Sequence, residues 1–211
     1  MTTVGIIDYG VGNLRSVANA LNHIGAKPVI SGDPQALMTC ERIIFPGVGA
    51  FGHGKETLLA KGLHRVVLDA VAARTPLLGI CVGMQLLFER STEFGEHEGL
   101  GILSGKIEKF DADAKGSPRL RLPNVNWLPI QPNPKADGLA AKLLRDVTHR
   151  SRFYFDHSYR ACSSNPHTTA TSHYGGQSFA AAVGKGSVFA TQFHPEKSGP
   201  DGLKMLKAFI S

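Results

Sequence analysis

The sequence is poor in cysteine and has a single tryptophan. Its three cysteines, Cys40, Cys81 and Cys162, are odd in number and far apart along the chain. Disulfide frameworks and zinc sites use even numbers or close spacings of cysteine, so we expect free thiols in a reducing cytoplasm. We expect no metal and no cofactor.

Long apolar runs and a leader segment are also missing from the sequence. No apolar run approaches the ~20 residues that span a bilayer, so we expect no contact with a membrane. Residues 4–7 are apolar and follow no basic segment or cleavage site, which predicts a strand and not a signal peptide. The glycine-rich residues 8–13 lack the glycine spacing of a dinucleotide-binding loop.

Concentrated charge is the third feature that the sequence lacks. Its 23 Lys and Arg against 17 Asp and Glu give a net charge of +6, but the basic residues are scattered. A solvated surface or an acidic protein partner explains this better than nucleic acid, which we do not expect as a partner. A chain of 211 residues with 42% hydrophobic residues can bury a full core. Without a visible linker or repeat, residues 1–211 are expected to form a single domain.

The first half of the sequence alternates strand-like and helical patterns. Strands are predicted at residues 4–7, 27–30, 42–45 and 77–80. Helices are predicted at residues 14–24 and 58–71, and Asp33 and Pro34 are predicted as the cap and the first residue of another helix. This alternation predicts a parallel sheet flanked by helices, with the functional site at the carboxyl ends of the strands.

From Gly99 onward, short apolar stretches alternate with Gly, Pro and Asn, which predicts an antiparallel section with hairpins. Further strands are predicted at residues 152–159, 178–183 and 188–193, and further helices at residues 139–144 and 202–210. The fold class that follows is α/β, with a central, mostly parallel sheet and an antiparallel second section.

Cys81 lies between a predicted strand and a helical pattern, with Gly79 and Gly83 two residues to either side. This spacing is typical of a nucleophile elbow, with sulfur in place of the serine oxygen. The glycines permit a tight turn, and the start of a helix favours a thiolate. The alternative is a buried structural cysteine beside two packing glycines.

The segment of residues 192–196 (QFHPE), which contains His194, stands at the end of a predicted strand. In an extended segment, His194 and Glu196 would point to the same side. The carboxylate can then bind one imidazole nitrogen and leave the other to face a nucleophile, as in a triad. The alternative is an ordinary surface or core histidine, which we expect most of the other eight histidines to be.

Residues 79–85 (GICVGMQ) and 192–196 (QFHPE) together resemble the class I, triad-type glutamine amidotransferases. Within that family, residues 8–14 (DYGVGNL), 46–51 (PGVGAF) and 153–159 (FYFDHSY) resemble the glutaminase subunits of imidazole glycerol phosphate synthases. The similarity covers essentially the whole chain, which would then be one glutamine amidotransferase type 1 domain.

The resemblance implies that Cys81 attacks the side-chain amide of L-glutamine and that His194 passes a proton to the departing ammonia. Glu196 would hold the imidazolium, and water would release glutamate from the thioester. The oxyanion would be met by backbone amides at Val82 and in the loop of Val48 and Gly49. Glycines on both sides of Val48 make a peptide flip in this loop sterically cheap.

The positions that match the family's glutamine contacts are Gly49, Gln85, Ser158 and Tyr159. The resemblance also implies a heterodimer with a (β/α)8-barrel cyclase subunit of the HisF type. There, ammonia is used to make imidazole glycerol phosphate and AICAR in histidine biosynthesis. By motif position, the interface residues near the ammonia exit are Asn13, Trp127, Tyr154 and Lys197. A core position is the alternative for Trp127.

Two stretches depart from the family pattern on the expected partner side. Residues 124–128 (NVNWL) stand where the family usually has a His-Met-Gly-Trp-Asn-like loop, and Asp156 stands where it usually has an apolar residue. We expect a Lys or Arg opposite Asp156, from the partner or from this chain, where Lys197 and Arg160 are nearest by sequence.

Two other functions stay open at the level of sequence, and a third is argued against. The chain could be the glutaminase of another ammonia-channelling synthase, of the surface-sugar amidination or pyridoxal phosphate type, although the Pro-Gly-Val-Gly loop argues against the latter. It could be a free-standing Cys-His-Glu hydrolase, fully active without a partner. A non-catalytic binding module would lack one member of the triad, and none is missing.

Overall fold

A computed structural model of the chain describes residues 1–113 and 120–211. Its strands are β1 (Thr3–Ile7), β2 (Lys27–Ser31), β3 (Arg42–Gly47), β4 (Leu77–Cys81), β5 (Phe88–Ser91), β6 (His97–Glu98), β7 (Leu103–Lys109), β8 (Asn124–Leu128), β9 (Gln131–Pro132), β10 (Phe153–His157), β11 (Tyr159–Ala161), β12 (Thr168–Tyr174), β13 (Gln177–Lys185) and β14 (Val188–Thr191). Its α-helices are α1 (Leu14–His23), α2 (Pro34–Met38), α3 (Phe51–Ala60), α4 (His64–Ala72), α5 (Val82–Leu86), α6 (Gly138–Leu144) and α7 (Gly199–Ile210).

The largest sheet has eight strands in the order β2-β1-β3-β4-β14-β13-β12-β9. The first five strands pair in parallel, and the remaining pairs are antiparallel. Strand β4 lies between β3 and β14, and all five of its residues are buried, as its unbroken apolar run requires. The predicted fold class, a mostly parallel sheet with an antiparallel section, is therefore confirmed.

Two smaller sheets complete the second section. One pairs β8 with β10 in antiparallel register, and the other has the order β11-β7-β5-β6. In the second sheet only the β5–β7 pair is parallel. The predicted hairpin between β13 and β14 is present, with Lys185 paired to Val188 and Gly186 in the left-handed region at a φ of +60°.

Two predicted elements are wrong in their boundaries. The single helix over residues 58–71 is in fact the end of α3, a turn and most of α4, because Gly62 takes a left-handed φ of +69°. Apolar residues continue through the turn, where Leu63 is buried, so the periodicity did not reveal the break. The predicted strand 152–159 is divided at Ser158 into β10 and β11, although its buried and exposed faces alternate as predicted.

The short helix α5 packs directly on the central sheet. A Cβ atom added to Gly83 would overlap the carbonyl oxygen of Phe45 in β3. A Cβ atom on Gly79 would come within 2.9 Å of the Ala190 side chain in β14. Both glycines therefore allow the backbone contacts that fix the end of β4 against its two neighbours.

Within residues 1–113 and 120–211, no helix has the length and apolar character that crossing a membrane would require. In the same part of the chain, His, Cys, Asp and Glu side chains form no group of three or more arranged to hold a metal ion.

Candidate active site

Cys81 is the last residue of β4 and caps the start of α5. Its backbone has a φ of +54° and a ψ of −111°, a conformation that non-glycine residues rarely adopt. The side chain is buried, with 4% exposure. The strand-to-helix turn predicted from the two flanking glycines is therefore present, and it presents sulfur at the carboxyl end of a central strand.

His194 and Glu196 form a buried pair, with 2.9 Å between His194 Nδ1 and Glu196 Oε1. The predicted contact is present, but the extended backbone assumed for it is wrong. Glu196 lies in a 3-10 turn, Pro195–Lys197, which begins directly after His194. The His194 backbone is fixed on both sides, since its N–H donates to Tyr154 O at 2.9 Å and its carbonyl accepts from Ser198 Oγ at 2.6 Å.

The charge of His194 is set by its neighbours. Burial by itself lowers the pKa of His194, but the Cys81 thiolate, the hydrogen bond to that sulfur and the Glu196 carboxylate together raise it to about 10. A protonated imidazole between a thiolate and a carboxylate is the charge state in which sulfur is nucleophilic.

A cavity of about 230 Å³ opens over Cys81 and His194. It is lined by every predicted oxyanion and glutamine-contact position: Val48, Gly49, Val82, Gln85, Ser158 and Tyr159. Glu196 is not among its lining residues, which agrees with its contact to the Nδ1 side of the imidazole. The structure thus brings together the residues that the sequence predicted for one site.

The loop after β3 lies beside the nucleophile because Gly47 is in register with Cys81. Val48 is 37% exposed, and Gly49 has a left-handed φ of +87° with open space around its Cα atom. Val82 is the first residue of α5, so its N–H has no acceptor within the helix. Both predicted sources of oxyanion donors therefore adjoin the sulfur.

Sequence reasoning missed three residues of this site. Gln192 is fully buried, and its Nε2 lies 3.7 Å from the Cys81 sulfur. Glu93 lines the cavity, and its carboxylate accepts from the Phe51 N–H at 2.6 Å. A polar residue within the apolar strand pattern before His194 was the signal available for Gln192; no local pattern marks Glu93.

Tyr9 is the third residue. It is fully buried, and within the described residues its hydroxyl has no hydrogen-bond partner. Burial and then the charge of Cys81 raise the pKa of Tyr9 far above its ordinary value, so the phenol stays protonated. Its oxygen lies 2.7 Å from where a Cβ atom on Gly47 would be, against the base of the loop that carries Val48.

Three of the four predicted interface residues cluster beside the cavity. Trp127 is 52% exposed and packs edge-on against Tyr154 with 5.9 Å between ring centroids, while Lys197 Nζ lies 5.5 Å from the Tyr154 ring centroid. The alternative of a core position for Trp127 is therefore wrong. Asn13 caps α1, accepting from the Ser16 N–H at 3.4 Å.

Asp156 is exposed and lines the cavity together with Lys197. Among residues 1–113 and 120–211 it forms no ion pair. Arg160 was a wrong candidate for its partner, because that side chain lies 3.9 Å from Glu108 and over the Phe110 ring. Lys197 faces Tyr154 instead.

A thiol at a strand-to-helix turn, beside a buried histidine–carboxylate pair, defines a cysteine hydrolase or transferase with a nucleophile elbow. The family described as "Glutamine amidotransferase class-I" matches residues 5–211. The chain is 41% identical over 208 residues to the imidazole glycerol phosphate synthase subunit HisH of Sulfurimonas denitrificans, covering 98% of this chain and 96% of that protein. It is 42% identical over 221 residues to the HisH subunit of Aromatoleum aromaticum, covering 100% and 99%. The chain therefore belongs to the class I glutamine amidotransferases and, within them, to the HisH subunit family.

Solved structures agree on the fold. A structure of PurLQS from Thermotoga maritima matches with a TM-score of 0.73 at 19% identity, covering 99% of this chain and 97% of the matched chain. A crystal structure of a glutamine amidotransferase matches with a TM-score of 0.69 at 20% identity, covering 97% of this chain and 98% of the matched chain.

Proposed function

We propose that this chain is the glutaminase subunit of an imidazole glycerol phosphate synthase and releases ammonia from L-glutamine. The observation that carries the proposal is the juxtaposition of Cys81 and His194 over one cavity, with Glu196 2.9 Å from the far side of the imidazole. The name shared by the relatives, at about 40% identity over nearly their whole length, supports the same function.

In the first half of the reaction, the Cys81 sulfur attacks the carbonyl carbon of the glutamine side-chain amide. The electron pair of the C=O bond moves to oxygen and then returns as the C–N bond breaks. His194 gives its proton to the leaving nitrogen, so ammonia departs and a γ-glutamyl thioester remains. Glu196 keeps the imidazole in the orientation that this transfer needs.

In the second half, His194 takes a proton from water as the water oxygen attacks the thioester carbonyl. The carbon–sulfur bond breaks, glutamate leaves, and the thiolate–imidazolium pair is restored. In both halves the oxyanion accepts from the Val82 N–H and from an amide at Val48 or Gly49. Each such donor is worth about 3–4 kcal/mol to the transition state.

Glutamine is held by Gly49, Gln85, Ser158 and Tyr159, which all line the cavity. The Gln85 amide nitrogen already donates to Tyr159 O and Gln192 Oε1, so its own oxygen is the group left for the substrate. The carboxylate of Glu93 gives the cavity a negative charge that suits the α-ammonium group of glutamine.

We further propose that residues 1–211 form one amidotransferase domain that works in the cytoplasm, which agrees with three free cysteines. The word "subunit" in the relatives' names implies a partner protein. That partner is a (β/α)8-barrel cyclase of the HisF type, which uses the ammonia to make imidazole glycerol phosphate and AICAR. It docks on Trp127, Tyr154 and Lys197, with Asn13 as a further contact.

The experiment that tests the glutaminase is release of glutamate from L-glutamine by the purified chain together with its copurified partner. Cys81→Ala should abolish release, and a residual rate above roughly a thousandth of wild type would remove Cys81 as the nucleophile. Cys40→Ala and Cys162→Ala are the matched controls and should be near neutral, because neither residue lines the cavity.

A further inference from the structure

A continuous series of side-chain hydrogen bonds leads from strand β8 into the active site. On β8, Asn126 Nδ2 donates to Asn124 Oδ1 at 2.8 Å. The other end of the Asn124 amide, Nδ2, lies 3.0 Å from Nε2 of His157 on the neighbouring strand β10. Asn124 and His157 are both buried, whereas Asn126 is part-exposed between the exposed side chains of Val125 and Trp127.

The series continues from His157 to the nucleophile. His157 Nδ1 lies 2.9 Å from the carbonyl oxygen of Tyr159, and Gln85 Nε2 donates to that same oxygen at 3.2 Å. Gln85 Nε2 also donates to Gln192 Oε1 at 3.1 Å, and Gln192 Nε2 lies 3.7 Å from the Cys81 sulfur. Five side chains and one carbonyl group therefore connect the surface of β8 with the thiol, and we call them the relay.

The chemistry of these groups fixes the proton on His157. A carbonyl oxygen only accepts, so His157 Nδ1 must carry the proton that reaches Tyr159 O. The Asn124 amide can then donate to the unprotonated Nε2, while its oxygen accepts from Asn126. Complete burial lowers the pKa of His157 to about 4, so the ring is neutral at physiological pH and a single tautomer satisfies both contacts.

We propose that Asn124 and His157 are positioning residues that hold the Tyr159 carbonyl and, through Gln85 and Gln192, orient the hydrogen-bond donor that faces the Cys81 sulfur. A buried group that loses its partner pays the whole desolvation penalty, so this arrangement has few alternatives of similar energy. The kinetic part of the proposal rests on the glutaminase function proposed above, whereas the tautomer of His157 does not.

The relay also explains why polar residues stand at 124 and 126, inside a strand whose neighbours are aromatic and apolar. Asn124 is buried completely and would be costly there without its two partners. The relay starts beside Trp127, on the face that is proposed to bind the partner. It therefore connects that face with the Cys81 nucleophile.

The first test determines directly which nitrogen of the His157 imidazole carries the proton. Imidazole nitrogen NMR of the full chain, with the His157 resonances assigned by comparison with His157→Leu, should show a proton on Nδ1 and none on Nε2 through the pH range 6 to 8. A proton on Nε2, or a doubly protonated ring, would overturn the proposal. This readout needs neither glutamine turnover nor a partner.

The second test separates the hydrogen bond from packing. His157 lies among the rings of Phe110, Phe155 and Phe179, so His157→Leu preserves an apolar contact while removing both hydrogen bonds. His157→Asn keeps an amide donor close to the position of Nδ1 and therefore the bond to Tyr159 O. We expect His157→Leu to lower kcat/KM for glutamine about tenfold, mostly through kcat, and His157→Asn to recover most of that loss.

The third test measures the thiol without glutamine. The rate of Cys81 alkylation by iodoacetamide should fall several-fold in His157→Leu and in Asn124→Leu. Asn133→Leu is the matched control, since it removes a side-chain hydrogen bond of the same kind, 3.2 Å to Thr168 O, that belongs to no part of the relay. Equal alkylation rates in all variants, or equal losses in His157→Leu and His157→Asn, would overturn the proposal. A wild-type chain with the predicted tautomer and alkylation pattern that releases no glutamate even together with its copurified partner would instead refute the glutaminase.

Discussion

At the scale of single residues, the proposed chemistry depends on the positions and charges of three side chains. Cys81 ends strand β4, whereas His194 and Glu196 are two residues apart at the 3-10 turn that follows β14. Only Cys81 reaches the other two through a contact that is distant in sequence. The motifs predicted the identity of all three residues. They did not predict the turn that brings Glu196 to the imidazole, because proline after His194 is compatible with either backbone.

The protonation of His194 makes stability depend on pH. A histidine whose pKa rises on folding from 6.5 to about 10 contributes its full stabilisation below about pH 6.5 and loses it as the pH approaches 10. We expect the free energy of unfolding, measured in urea, to fall between pH 7 and pH 10. Glu196→Gln removes one of the groups that raise the pKa of His194, so the fall should still begin near pH 6.5 but should end at a lower pH and be smaller.

His53→Gln is the matched control for this pH dependence, because His53 is exposed on α3 and should leave the curve unchanged. An identical pH dependence in wild type and Glu196→Gln would contradict the charge assignment.

Asp156 is a second residue whose charge carries a prediction. An exposed carboxylate at the edge of the cavity, without a cation from the described part of its own chain, fits a partner that supplies Lys or Arg. We expect Asp156→Val to reduce the increase in glutaminase rate on adding the native partner, while Cys81 still reacts with a glutamine-analogue alkylator.

The matched variant for Asp156 is Asp146→Val, which removes an exposed carboxylate beside Arg145 and away from the cavity. If Asp156→Val couples to the partner as well as Asp146→Val does, Asp156 is only a solvated strand residue.

At the scale of elements, the central strands were predictable because a strand buried on both faces has an unbroken apolar run. Strand β4 (LLGIC) shows this directly. The break between α3 and α4 was not predictable from periodicity, since the turn keeps Leu63 in the core. Strand β12 (TTATSHY) was not predicted, because most of its buried side chains are small and its pairing with β13 and β9 defines it.

In the site too, some residues are marked by a local sequence pattern and others are brought there only by the fold. Cys81 and its two glycines form a local pattern, so the elbow was visible in the sequence. Glu93 and Tyr9 reach the site only through tertiary contacts, and nothing close to them in sequence marks that role. Gln192 was marked only by its polar side chain in the apolar stretch before His194.

Two glycines test the packing of these elements against each other. Gly83→Ala would drive a methyl group into the Phe45 carbonyl and should lower the free energy of unfolding by about 3 kcal/mol or more. At Gly62 a methyl group would meet open space, but the backbone is left-handed. Gly62→Ala should therefore lower the free energy of unfolding by only about 1–2 kcal/mol. Urea unfolding measures the free-energy change of both variants, provided that the m value is unchanged. Equal losses of free energy in the two variants would contradict the close contact of α5 with β3.

At the scale of the whole molecule, one cavity joins the nucleophile to a surface that bears Trp127, Tyr154 and Lys197. The loop at Val48 lies at this cavity, and a peptide that turns its carbonyl toward the oxyanion removes a donor. The isolated chain should therefore be a poor glutaminase, and binding of the partner with its ligand should favour the productive peptide orientation.

The most direct measurement is the rate of glutamate release from L-glutamine by the isolated chain, compared with the same chain after addition of the proposed barrel partner and its ligand. We expect slow release by the isolated chain, an increase by orders of magnitude in the complex, and no release by Cys81→Ala in either state. A lone chain that already turns over at the rate of the complex would contradict gating by the partner, and a complex that releases no glutamate would contradict the glutaminase itself.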